Sequence, residues 1–352
     1  MAEISLTNSK QTKDQFITAS SFICAIMIVG LHAFDAGNLP AESVTTFVES
    51  ILSHGLFTGA VPIFLFTSGY LFYRNITCVK DCFAKQKNRI VSVVIPYFAW
   101  STFYYMVYAV GNKVLGISMN VPVDVSLTGI VSGILFHEYC FPLWFMFQLM
   151  IYVAISPLIF TLLSNKKVSV IVLMGLALLG FAQITVSFDI LGKEQTIIRI
   201  NYLAYYFAGC IMARSPNLMD KIKKSILKAP LFIWVITYLG LGVLGGIIYQ
   251  EYIPIFNQRC IIPLIALSLW ALLYKICDVK KDIKIPKNVS TMIVYAIHPI
   301  VGMVVGMGLE MLTLPKIVHY FAWFAITTLC SCIASVVMKY IKPVHWVFSG
   351  NR

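Results

Sequence analysis

The stretch CAIMIVGLHAFDAGN, residues 24 to 38, closes a long apolar run with a histidine, His32, and sets Asp35 three residues later. Residues i and i+3 share a helix face, so the Asp35 carboxylate is placed to hold one imidazole nitrogen and raise the basicity of the other. That is what a general base needs. The competing account is a histidine near a helix end whose ring simply reaches interfacial water. A second histidine, His298, stands in STMIVYAIHPIV, about nine residues into another apolar run, hence roughly 14 Å deep at ~1.5 Å per residue. Pro299 beside it removes a backbone donor. The expectation is a broken helix at mid-depth, which belongs to a cavity wall rather than a lipid face.

Cations form the second group. Arg199 and Arg259, the latter behind Asn257 and Gln258, suit an anionic or hydroxyl-rich ligand; pairing with Glu251, Glu310 or lipid phosphate explains them equally. The segment KDCFAKQKNRIVSVVIPYFAW brings Lys85, Lys87 and Arg89 to a helix entrance. Clustered cations there suit phosphate groups, although charge that fixes topology and attracts anionic lipid has the same appearance. The nine cysteines lie mostly inside apolar runs and fit small buried residues better than disulfides or zinc ligands.

These residues must be carried by membrane-spanning helices. The chain of 352 residues is 59 % hydrophobic and only 12 % charged, against roughly 25 % charged in soluble domains. Apolar runs long enough to cross a ~30 Å hydrocarbon core recur along it. We place spans at 16–34, 51–73, 90–112, 141–163, 168–190, 197–214, 229–249, 255–277, 289–311 and 317–338. With the N-terminus inside, only Lys113, Lys193, Arg199, Arg259 and Lys316 of the 27 Lys and Arg fall outside. That asymmetry predicts both termini in the cytoplasm and an even number of spans, about ten. The net charge of +12 is thereby distributed among inner loops; no basic stripe interleaved with stacking aromatics occurs, which excludes a nucleic-acid partner. No cleavable leader is expected from the polar opening MAEISLTNSKQTKDQ. LTGIVSGILF, 127–136, is too short to cross and is expected to be an outer amphipathic or re-entrant piece. The predicted fold class is all-α: one polytopic membrane bundle over 1–352.

Several segments, in order, resemble the acyltransferase-3 family of integral membrane acyltransferases, which O-acylate sugars and other envelope components. SSFICAIMIVGLHAF is similar to its first helix, ending in the family histidine, here His32. GAVPIFLFTSGYLFYR resembles the second, KNRIVSVVIPYFAWS the basic entrance to the third, and FPLWFMFQLMIYVAISPLI the helix with its Leu-Trp-Phe motif. YLAYYFAGCIMAR and STMIVYAIHPIV match in kind and position. Three departures stand out. Ser21 and Ser92 occupy positions where many members carry arginine, and Phe147-Gln148 replaces a frequent Arg-Asp.

The resemblance implies a bacterial inner-membrane enzyme with no bound cofactor or metal. Acyl-CoA, most often acetyl-CoA, is the donor on the cytoplasmic side; the acceptor is a glycan or lipid-linked sugar hydroxyl reached from outside, with membrane lipids around it. On this reading Lys85, Lys87 and Arg89 attract the donor phosphates. His32, oriented by Asp35, deprotonates the acceptor, and His298, Trp144 or Arg259 stabilises the tetrahedral oxyanion; Arg199 belongs to the acceptor side. Two other classes fit some of the same residues. A transporter also uses broken helices and intramembrane histidines, and a non-catalytic glycan- or lipid-binding relative accords with Ser21 and Ser92.

Overall fold

The computed structural model describes residues 2–34, 44–114, 121–251, 256–280, 283–286 and 288–350. Among the described residues the regular structure is helical apart from one hairpin. In chain order the elements are α1 (Ala2–Leu31), α2 (Val44–Tyr73), α3 (Val79–Lys113), α4 (Leu127–Leu135), α5 (Phe141–Ala154), α6 (Ser156–Leu163) and α7 (Lys166–Phe181). Strands β1 (Thr185–Ile190) and β2 (Lys193–Arg199) follow. The remaining helices are α8 (Ile200–Arg214), α9 (Pro216–Lys228), α10 (Leu231–Gln250), α11 (Asn257–Val279), α12 (Thr291–Glu310), α13 (Lys316–Tyr340) and α14 (Lys342–Ser349).

Every predicted span contains a helix, but they are not alike. Among the described residues, α2, α3, α10, α11, α12 and α13 are long and apolar enough to cross a membrane singly. The α5–α6 pair makes a seventh candidate, bent by 61°. In the predicted span 16–34 the apolar helical part is shorter, Gln15–Leu31. The predicted spans 168–190 and 197–214 overran. Helix α7 stops at Phe181, and residues 185–199 are an antiparallel hairpin turning at Leu191 and Gly192, both with positive φ. Alternation in TVSFDI and TIIR around a Leu-Gly turn outweighs the hydropathy there, because two consecutive left-handed residues match the twist of paired strands.

The chain gathers into two compact units, each drawn from two stretches of sequence: Met1–Asn75 with Ala204–Cys332, and Ile76–Leu203 with Ile333–Arg352. In the first unit α1 packs on α2, α11 and α12, burying Cys24, Ala25 and Val29 completely. Helices α2 and α10 approach through glycines: a Cβ on Gly55 would strike the Gly242 carbonyl, and one on Gly246 would meet the Ile51 backbone. Small residues at such crossings let helices touch where no hydrophobic gain drives them together. Ser53 on α2 donates to the Gly30 carbonyl at 2.7 Å and lies 2.9 Å from the Tyr320 hydroxyl. Those bonds fix the end of α1, just before His32.

In the second unit α3 receives its neighbours through buried polar groups. Tyr97 and Ser101 donate to the Leu135 and Ile134 carbonyls at 2.6 and 2.7 Å, closing the C-terminus of α4. Trp100 donates to the Phe348 carbonyl at 3.0 Å and packs its ring edge-to-face with Phe348. The left-handed Gly350 then ends α14 against Ser92, where a Cβ would come within 2.7 Å of the Ser92 Cα.

Proline explains the local irregularities. Pro157 cannot donate to Val153 four residues back; the helix breaks there, and Gln86 Nε2 of α3 donates instead to the Val153 and Ala154 carbonyls at 3.0 and 3.1 Å. Widened π-turns at Ile90–Val94 and Asn257–Ile261 run into Pro96 and Pro263. Pro299 behaves differently: α12 continues through it without interruption. The expected break at that point is not present.

Candidate active site

Helices α1 and α12 bring the two predicted histidines together. Their rings lie 5.2 Å apart, centroid to centroid, inclined by 33°. His32 sits in the turn immediately after α1 and is half-buried; His298 has no exposed surface. A proline at 299 leaves the carbonyl of Tyr295 without its helical donor, and His298 Nδ1 lies 2.6 Å from that oxygen. A carbonyl can only accept, so Nδ1 carries the proton in this contact, and the ring also bonds the Val294 backbone. Nε2 is left as a buried lone pair with no hydrogen-bond partner among the described residues. Asp35, predicted to orient His32, lies outside the described residues.

A second aromatic and polar group adjoins this end of α1. Phe34 sets its edge on His54 at 4.1 Å, and the His54 ring is stacked on Tyr249 at 3.6 Å and 10°. Asn257 Nδ2 donates to the His54 carbonyl at 2.9 Å. His54 Nε2 and Asn257 Oδ1 have no partner among the described residues. Arg259 lies on the same π-turn as Asn257. Such turns are enriched at functional sites. His54 was not among the predicted site residues, although ILSHGLF carries the same signal as His32: an ionisable ring in an apolar run.

In the second unit Trp144 and Arg199 also meet. The guanidinium lies 5.0 Å from the Trp144 ring centroid, and Tyr202 is 4.5 Å away on that ring. Gln148 explains the position. Buried at 1 % exposure, it donates to the Ile197 carbonyl at 3.0 Å and accepts from the Arg199 amide at 2.8 Å. Tyr152 OH shares its proton between Gln148 Oε1 and the Arg199 carbonyl, at 3.0 and 2.9 Å. A neutral amide thus reads the end of β2 as a neighbouring strand would. Lys193, at the other end of β2, pairs with Glu138 at 2.8 Å, and this hydrogen bond raises its pKa. Two of the five lysines and arginines that broke the charge asymmetry are therefore engaged with specific side chains.

Lys85, Lys87 and Arg89 occupy the first turns of α3, Lys87 exposed and the other two half-buried. Lys85 and Lys87 flank Gln86, the residue that donates to the carbonyls at the α5–α6 break.

The fold is that of a multi-pass helical membrane protein with an imidazole pair held between two helices. A family model described as an acyltransferase domain matches residues 19–338, and the chain belongs to this acyltransferase-3 family. It is also similar to the succinoglycan biosynthesis protein ExoH of Rhizobium meliloti (strain 1021), 28 % identical over 140 residues. That match covers 38 % of this chain and spans 38 % of the relative's length. No solved structure matches.

Proposed function

We propose that this protein is a bacterial inner-membrane O-acyltransferase that moves an acyl group, most simply acetyl, from cytoplasmic acyl-CoA to a hydroxyl of an extracytoplasmic or lipid-linked glycan. The observation that carries this reading is the His32–His298 pair inside a chain of the acyltransferase-3 family. An imidazole with a free lone pair takes the acceptor hydroxyl proton; the oxygen attacks the thioester carbonyl; the tetrahedral intermediate expels the thiolate, which recovers the proton as CoA thiol. Lys85, Lys87 and Arg89 are assigned to the donor phosphates, and Arg199 with Trp144 to the acceptor side. Asp35 keeps its assignment as the orienting carboxylate. Ten spans with both termini in the cytoplasm accord with the lysine and arginine distribution and complete the reading. The similarity to ExoH, a succinoglycan biosynthesis protein, favours a polysaccharide precursor as acceptor.

The test is thioester cleavage by the purified protein with and without a glycan acceptor. His32→Ala should lower transfer by about 100-fold or more, the usual weight of a general acid–base group, with expression and insertion unchanged. Near-normal turnover in that variant would remove His32 from the chemistry. Solute uptake into proteoliposomes without thioester cleavage would instead identify a transporter, and glycan binding without either would identify a non-catalytic relative.

A further inference from the structure

We propose that the buried face of α13 carries a row of hydroxyls that receives the amide-bearing arm of the thioester donor and leads it to the imidazole pair. The inference rests on the acyl-transfer reading above and adds a binding site for the donor beyond its phosphates. Tyr320, Trp323 and Phe324 define the face. Tyr320 OH lies 2.9 Å from Ser53 Oγ on α2, and Trp323 Nε1 donates to the Gly302 carbonyl of α12 at 2.8 Å. Phe324 packs on Phe57, and a Cβ on Gly30 of α1 would come within 3.1 Å of its ring. Further along, the same face presents Thr327 and Ser331, both with no exposed surface, while Phe321, Leu329 and Ile333 lie exposed on the other side. Trp323 also fixes the level of these residues. Helices α12 and α13 are joined by a short loop and run antiparallel, so one turn onward from Trp323 matches one turn back from Gly302. Thr327 is therefore level with His298, and Ser331 lies one turn, about 6 Å, nearer the N-terminal end of α12.

Thr327 Oγ1, Thr328 Oγ1, Ser331 Oγ and His298 Nε2 are all buried with no hydrogen-bond partner among the described residues. Buried polar groups are paired in the great majority of cases, and these neighbours on two adjoining helices call for one polar ligand. Its chemistry follows from theirs. The three hydroxyls are neutral and both donate and accept, which suits secondary amides. They offer phosphate no positive charge, and a hydrocarbon chain would leave every one of them unpaired. The pantetheine arm of acyl-CoA carries two amides separated by a β-alanine unit. Its amides repeat about every 5 Å, one methylene longer than an α-amino-acid residue, close to the ~6 Å turn between Thr327 and Ser331. The amide nearer the thioester pairs with Thr327 and the next with Ser331, which leaves the thioester carbonyl beside His298. On the proposed topology the N-terminal end of α12 is cytoplasmic, the side from which the donor arrives.

The test uses the full-length protein in nanodiscs and two donors: acetyl-pantetheine, which has both amides, and the acetyl thioester of N-acetylcysteamine, which has only the inner one. Thr327→Val and Ser331→Ala each remove a hydroxyl and little else. Thr327→Val should raise KM for both donors by about 3- to 10-fold, the weight of one hydrogen bond. Ser331→Ala should raise it as much for acetyl-pantetheine alone, with kcat within about twofold in each case. Thr327→Ser, which keeps the hydroxyl, should behave as the natural chain. An unchanged KM for acetyl-pantetheine in both variants overturns the proposal. So does an equal effect of Ser331→Ala on the two donors, or a raised KM for the glycan acceptor in place of the donor. Titration with pantetheine itself separates this site from the acyl-transfer reading. If the natural chain binds pantetheine and both variants weaken that binding while no thioester is cleaved, acyl transfer fails and the hydroxyl row stands. Thioester cleavage with pantetheine affinity unchanged in both variants overturns the row and leaves acyl transfer intact.

Discussion

At the scale of single residues, the chemistry was legible wherever an ionisable side chain interrupted an apolar run. His32 and His298 stood out for that reason, and the structure sets them side by side. His54 meets the same criterion near the start of the predicted span 51–73, and only the structure shows the Phe34 and Tyr249 rings that surround it. Pro299 is the exception: a backbone rule predicts a break when the amide is lost, yet α12 runs through it, with His298 Nδ1 2.6 Å from the Tyr295 carbonyl. Gln148 was visible in the sequence only as a missing charge; its buried contacts with Ile197 and Arg199 could not be inferred without knowing that β2 existed. Replacing Gln148 with leucine leaves a buried amide and carbonyl unsatisfied, which costs about 2 kcal/mol or more. The expected outcome is a clearly lowered unfolding midpoint in detergent; an unchanged midpoint would show that those groups find water.

At the scale of elements, hydropathy located the helices but not their quality. The hairpin was missed because a long window averages its alternating residues into the apolar flank, whereas the Leu191–Gly192 turn was the signal to weigh. Glycine crossings were likewise present in the sequence without revealing which partner each faced. Gly55→Ala drives a methyl into the Gly242 carbonyl and should destabilise α2 against α10 by about 1–3 kcal/mol, seen as reduced yield and faster proteolysis of the folded protein.

The loop between α4 and α5 gives a pH-dependent element. Burial, then the nearby Arg199 charge, pushes His137 from 6.5 down to about 4, Glu138 acting in the opposite sense. Tyr97 OH, already donating to Leu135, lies 3.1 Å from His137 Nδ1. Because the folded value is below the unfolded one, the neutral ring is the form the fold prefers. The contribution is complete above the unfolded pKa and is lost as pH falls toward about 4. Hydrogen exchange in residues 136–140 should rise across that interval, and His137→Asn should flatten the rise. A flat profile in the natural chain would contradict the assignment.

For the molecule as a whole, the sequence supplied the membrane class, the helical fold and the family, because those follow from composition and motif order. Orientation rests on charge asymmetry alone and has a direct check. Green fluorescent protein fused to the C-terminus should fluoresce, since that end is assigned to the cytoplasm, and a dark but stably expressed fusion would reverse the assignment. The hairpin has a consequence for the surrounding lipid. A two-stranded ribbon leaves edge amides without a strand partner, and Gln148 and Tyr152 serve only the Ile197–Arg199 end of β2; hydrocarbon does not tolerate the rest, which suits the ribbon to the membrane–water boundary. The helices on either side of it in sequence, 16 and 15 residues long, reach only about 24 Å at 1.5 Å per residue. On the proposed ten-span topology, in which both cross, a bilayer of ordinary thickness must dimple inward to meet them. Turnover should therefore depend on acyl-chain length in reconstituted membranes, with thin bilayers relieving the mismatch and thick, sterol-like ones opposing it.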